Sequence, residues 1–150
     1  MATRFRAVPR LATIGYEGRS LDEILQVLTA SRIEVLVDVR ENAVSRKPGL
    51  SKRRLAEAVE LEGIEYRHEP LLGNPKANRD AFRRGERRAR VRYLAYLNNG
   101  SRAAYDSVIE LTKKRRVALL CFEREHATCH RACIAEQAVA ENPTLKIEEL

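Results

Sequence analysis

The sequence predicts one α/β domain over residues 1–150, built in three layers, with helices on both faces of a largely parallel sheet. Three observations carry this. The runs LATIGY (Leu11–Tyr16), EVLVDVR (Glu34–Arg40) and VALLCFE (Val117–Glu123) have the near-continuous apolarity of strands buried on both sides. Segments of helical spacing alternate with them, as β-α units require. The 150 residues contain no repeat, low-complexity tract or Ser/Pro linker, and suit a single core.

Each element follows from local chemistry. Leu11–Tyr16 is the first strand, broken by Gly15 and Gly18. Ser20-Leu-Asp-Glu23 forms a capping box for a helix whose Leu21, Ile24, Leu25 and Leu28 share one face. Glu34–Arg40 is the second strand. Ser51 is expected to cap a helix carrying Leu55, Ala58 and Val59, which Gly63 stops. Ile64–Glu69 alternates and precedes a proline, giving a third strand. The arginine-rich segment Arg79–Arg92 and the stretch Ser101–Lys114 read as helices separated by Asn98-Asn99-Gly100. Val117–Glu123 is the fourth strand. Thr128 is expected to cap a helix running through Ala140, ended by Asn142-Pro143, and Leu145–Ile147 forms a short last strand.

Composition excludes some classes of function. The chain is 44% hydrophobic and 33% charged, with no apolar run of transmembrane length. The basic start, Met1–Arg10, leads straight into strand-like sequence without the apolar stretch of a secretory signal, so no membrane partner is expected. Three cysteines make a poor disulfide scaffold and fit a reducing, cytoplasmic setting. The net charge of +7 is uneven: residues 1–116 hold 25 Lys+Arg against 15 Asp+Glu, and residues 117–150 hold 3 against 6. Seven arginines fall between Arg79 and Arg92, and the arginine fork suits phosphate and carboxylate oxygens. An anionic small molecule or a nucleic acid is therefore the expected partner, with Arg83, Arg84, Arg87 and Arg88 as candidate nucleic-acid contacts. Few aromatics accompany them, so no base-stacking platform is visible. Nothing in the sequence indicates an oligomeric partner.

In an open α/β sheet, ligands bind outside the carboxyl ends of the strands. Tyr16 and Arg19 follow the first strand, Asp38 and Arg40 end the second, and His68 ends the third. Cys121 and Glu123 end the fourth, and Cys129, His130 and Arg131 open the next helix. The polar chemistry thus gathers at one expected rim.

The same residues carry a resemblance. TIGYEGRS (Thr13–Ser20), DVR followed by Ser45 (Asp38–Arg40), EPLLG (Glu69–Gly73) and CFE with CHR (Cys121–Glu123 and Cys129–Arg131) span nearly the whole chain in order. With them the chain resembles the bacterial and archaeal family catalogued as domain of unknown function number 488. Members usually have a proline between DVR and the serine, where this chain has Ala43, and a second glycine after LLG, where it has Asn74. The resemblance implies an α/β fold and a site at these residues, and implies no particular reaction.

Cys129-His130-Arg131 is the sharpest motif. A cysteine in the first turn of a helix feels unpaired N–H groups, which favour thiolate, and Arg131 would add to this and hold an anion. Cys129 is accordingly expected to be the thiol that alkylates fastest. Cys121, His126, Cys129, His130 and Cys133 lie within thirteen positions, but their spacings match no standard zinc pair, so no cofactor is expected and zinc is the lesser reading. No GxGxxG or Walker motif is present, which leaves a nucleotide cofactor unsupported. The expected function is a small cytosolic enzyme acting on an anionic substrate, phosphate- or sulfur-containing or a nucleic acid. Cys129 would be nucleophile or redox centre, Glu123 or His130 proton carrier, and Tyr16, Arg19, Asp38, Arg40, Ser45, His68 and Arg131 would bind or orient the anion. The alternatives are a non-catalytic nucleic-acid-binding module using the Arg79–Arg92 face and a small structural metal-binding domain.

Overall fold

The computed structural model describes residues 8–150; the basic stretch over residues 1–7 lies outside them. The chain runs β1 (Arg10–Gly15), α1 (Leu21–Ala30), β2 (Val35–Asp38), α2 (Lys52–Leu61), β3 (Glu65–His68), α3 (Lys76–Arg83), α4 (Arg87–Asn98), α5 (Arg102–Thr112), β4 (Val117–Cys121), α6 (Arg131–Glu141) and β5 (Lys146–Glu149). The five strands form one all-parallel sheet in the order β3-β2-β4-β1-β5. Among the described residues no helix is long and apolar enough to cross a membrane.

The layers follow from the two-residue period of the strands. Leu11, Val35, Val37, Val117 and Leu119 enter one core with residues of α3 to α6. Ala12, Ile14, Leu36, Ala118 and Leu120, their alternate neighbours, enter the other with Ile24 and Leu28 of α1 and Leu55 and Val59 of α2. The connections from β1 to β2 to β3 run one way along the sheet and carry α1 and α2. Those from β3 to β4 and from β4 to β5 run the other way and carry α3 to α6. A uniform crossover hand demands this division of helices between faces.

Local expectations hold in part. Ser20 caps α1, its Oγ accepting the Glu23 amide at 3.2 Å. Ser51 precedes α2 but its hydroxyl does not cap it; the Oγ accepts the Ser45 amide at 3.0 Å and donates to the Ser45 carbonyl at 3.1 Å, which cinches the preceding loop. Thr128 is not the cap of α6 either. Residues His126–Thr128 form a separate 3-10 turn, the Thr128 hydroxyl bonds back to Glu125 O at 2.9 Å, and α6 begins only at Arg131, so Cys129 stands before the helix in extended backbone. The arginine-rich segment is two helices, broken where Gly85 takes φ +77°.

A candidate active site at the carboxyl ends of the strands

The rim is braced by an ion pair at the end of β2. Asp38 is fully buried, and Arg40 is 6% exposed. Arg40 Nε donates to Asp38 Oδ1 at 2.8 Å and Nη2 to Oδ2 at 2.6 Å, the bidentate fork, while the Tyr66 hydroxyl donates to Oδ2 at 2.6 Å. Arg40 Nη1 reaches the Leu50 carbonyl at 2.6 Å and the Tyr16 hydroxyl at 3.4 Å, so one guanidinium ties β2, the loop of residues 41–50 and the end of β1. Burial opposes the Arg40 charge, but Asp38 outweighs it and holds the guanidinium more firmly protonated than usual. Burial first, then the Asp38 carboxylate, pushes the Tyr66 phenol up. Arg40 and Asp38, expected as anion ligands, spend their polar atoms on each other and on Leu50 O, Tyr16 and Tyr66. His68 Nε2 lies 2.7 Å from Arg40 O and supports the same turn. Ser45 Oγ accepts the Lys47 amide at 3.1 Å, and Lys47 Nζ binds the Tyr16 and Arg19 carbonyls, so Ser45 shapes the loop.

Two glycines permit the loops to converge. A Cβ on Gly15 would overlap the Glu123 carbonyl, and one on Gly73 would overlap the Glu41 backbone. The first lets the loop after β4 fold across the end of β1; the second seats the EPLLG turn on the loop after β2.

The thiols meet where β4 ends. Cys121, Cys129 and His130 are all buried, and their ligating atoms lie within 4.8 Å of one another. His130 Nδ1 is 3.5 Å from Cys129 Sγ and 4.0 Å from Cys121 Sγ, while its Nε2 faces the Val39 carbonyl at 2.9 Å. The Tyr93 ring packs edge-on against this imidazole, centroids 5.3 Å apart. Arg131, 1% exposed, donates from Nε to Cys129 Sγ at 3.2 Å and from Nη2 to the Glu123 carbonyl. Among the described residues it has no carboxylate partner within ion-pair distance. A buried guanidinium needs a counter-charge, and the Cys129 thiolate supplies it. Burial pushes the Cys129 thiol up, but the Cys121 thiol, His130 and Arg131 together override this and hold it well below the usual thiol range. Its raised acidity thus comes from these side chains and not from a helix N-terminus. The Cys121 thiol is pushed up, by its hydrogen bond to Cys129 and then by burial, and it approaches Glu123 Oε2 at 3.5 Å.

These groups open onto one cavity of about 210 Å³, whose lining includes Tyr16, Arg40, Arg79, Arg83, Cys121, Glu123 and His130. Arg83 Nε holds Glu123 Oε1 at 3.1 Å, with Arg83 half exposed and Glu123 15% exposed. Arg79 reaches Glu41 at 3.5 Å. The structure therefore draws Tyr16, Arg40, Glu123 and His130 to one wall, with Cys129 and Arg131 directly behind. Cys129, at 1% exposure, does not line the cavity, so Cys121 is the thiol that a reagent entering it meets first. Arg19, Ser45 and His68 are not part of the lining.

The arginine-rich segment divides by function. Arg79 and Arg83 face the cavity; Arg90 pairs with Glu136 at 3.3 Å and Arg92 with Asn78 at 2.9 Å. Arg84 bonds Glu86, while Arg87 and Arg88 are exposed with no side-chain hydrogen bond or ion pair among the described residues. The sequence makes Arg83 a candidate nucleic-acid contact and gives Arg79 no role at the rim. The glycine at position 85, which separates α3 from α4, was the available signal that Arg83 and Arg87 lie on different helices.

The family model described as domain of unknown function DUF488 matches residues 20–138. No curated protein and no solved structure matches the chain.

Proposed function

Because the chain belongs to the DUF488 family, whose description names no activity, we propose from the chemistry of the cavity that it is an enzyme acting on a small anionic substrate. The observation that carries this reading is the convergence of two incompletely engaged arginines, Arg79 and Arg83, a carboxylate, an imidazole and a thiol on one cavity of about 210 Å³. That volume suits a small ligand and not a polymer backbone. Arg83 is the entry point: an incoming phosphate, sulfate or carboxylate group takes the place of Glu123 on its guanidinium. Glu123, thereby released, moves a proton at the substrate, while the Cys121–Cys129–His130 cluster is the reactive centre behind it. Arg40 and Asp38 keep the wall rigid. Three free thiols, all buried, suit a reducing cytoplasm.

The test is a turnover screen with small phosphate esters, sulfate esters and thioesters, paired with calorimetric titration of inorganic phosphate and sulfate. Glu123→Gln should lose about 100-fold in turnover, the lower end for a general acid or base. Arg83→Gln should weaken anion binding about tenfold, one charge-assisted hydrogen bond. Arg87→Gln should leave both unchanged. Anion binding and turnover untouched by the first two variants would overturn the reading.

A further inference from the structure

We propose that Cys121, Cys129 and His130 form a binding site for a soft divalent metal ion, zinc by the chemistry of its donors, with the fourth coordination position open to the rim cavity. The separations fit. In tetrahedral zinc, bonds of ~2.3 Å to sulfur and ~2.0–2.1 Å to nitrogen put a sulfur and a nitrogen ligand about 3.6 Å apart. The structure has 3.5 Å and 4.0 Å between His130 Nδ1 and the two sulfurs.

The orientation of His130 is a second, independent observation. Only an N–H can pair with the Val39 carbonyl at 2.9 Å, so Nε2 carries a proton and Nδ1 is the nitrogen aimed at the two sulfurs, where a metal ion would take the place of any proton it holds. A metal-ligating imidazole is held by its other nitrogen in this way. The donor charge also suits the ion: two thiolates neutralise a dication, and Arg131 Nε already donates to one of them, Cys129 Sγ, at 3.2 Å.

The same arrangement disfavours thiol–disulfide exchange. There the attacking thiolate must meet its partner, and here Cys129, the sulfur held by Arg131, is 1% exposed while Cys121 forms the wall. A small ion entering through the cavity reaches both. Cys133 and His126 stay outside the cluster: Cys133 packs in the α3–α6 core and His126 Nδ1 lies 2.9 Å from Thr13 Oγ1. Three protein ligands with an open fourth position is the composition of a catalytic and not a closed structural zinc site. The metal would polarise a substrate or water held there. This inference rests on the donor geometry and stands apart from the identity of the anion.

The experiment uses the full chain, purified under a non-chelating reductant and stripped with a chelator. It is titrated with zinc alone and, separately, with cobalt alone. One equivalent per chain is expected, with a thiolate-to-cobalt charge-transfer band and the intense visible bands of a tetrahedral ion. Cys121→Ser should weaken zinc binding at least 100-fold, whereas Cys133→Ala should retain stoichiometry and spectrum. Should Cys121→Ser fail to fold, the wild-type cobalt spectrum and its loss on zinc addition decide. No binding by the folded wild type, an octahedral cobalt spectrum, or full retention in folded Cys121→Ser would each overturn the proposal. None of these readouts involves an anion, so anion binding that fails while zinc binds would sink only the substrate reading.

Discussion

Replacing Asp38 by Asn changes almost nothing in shape and removes the carboxylate that, among the described residues, is paired with Arg40. The two groups are 0% and 6% exposed, joined at 2.8 and 2.6 Å, and Oδ2 also takes the Tyr66 hydroxyl at 2.6 Å. In the variant an amide NH₂ occupies one of these acceptor positions and faces a donor, while Arg40 remains charged in the core. Breaking a buried pair by removing one partner costs about 3–5 kcal/mol, and the extra donor conflict places this case toward the upper end. For a chain of this size that corresponds to a fall in Tm of about 6–20 °C, at roughly 2–4 °C per kcal/mol. Urea unfolding followed by circular dichroism measures it. The double variant Asp38→Leu with Arg40→Met should recover most of the loss, because matched apolar groups leave no stranded charge. It should still loosen the loop of residues 41–50, since Leu50 O loses the Arg40 Nη1 donor; hydrogen exchange reads this. A loss below about 1 kcal/mol in Asp38→Asn would show that water reaches the pair and that Arg40 is no brace.

Ser20→Ala should cost about 1 kcal/mol through loss of the α1 cap, with no effect on anion binding. Gly15→Ala should cost about 1–3 kcal/mol and displace Glu123, whose carbonyl the new methyl meets, so calorimetry should show weakened anion binding in the folded fraction. Burial pushes the Cys133 thiol up to about 11, above its unfolded value, so the folded state holds this proton longer. Its contribution is complete at neutral pH and is lost as pH rises from the ordinary thiol range through about 11. Unfolding free energies across that interval should therefore fall more steeply in wild type than in Cys133→Ala, and parallel slopes would refute the assignment. Reversing Arg87 and Arg88 to Glu should leave stability within about 0.5 kcal/mol and phosphate binding unchanged. If the chain also bound nucleic acid through these two, the salt slope would drop by about 1.4–1.8.

The fold class was readable because its signals are local and redundant. The runs at Leu11, Val35 and Val117 are apolar on both faces, and only a sheet covered on both sides satisfies that. Ser20 and Glu23 wrote a cap three residues apart, which needs no distant partner. The rim was readable too, since parallel strands put Tyr16, Asp38, His68 and Cys121 at one edge whatever their order. Beyond this, sequence position stopped being informative. Thr128 and Ser51 look like caps, but whether a hydroxyl caps or cinches a loop depends on how the chain turns around it. The order β3-β2-β4-β1-β5 set β4 between β1 and β2, and so put Cys121 and Glu123 opposite Arg40. Arg83 on α3 met Glu123, while Arg87 and Arg88 on α4, beyond the break at Gly85, faced solvent. Most decisively, the partner of each charge was a tertiary matter. Arg40 and Arg131 read alike as anion clamps, yet one is spent on a carboxylate and the other on a thiolate. A buried ion is stable only beside its counter-charge, and residues far apart in the chain supply the burial that makes the pairing obligatory.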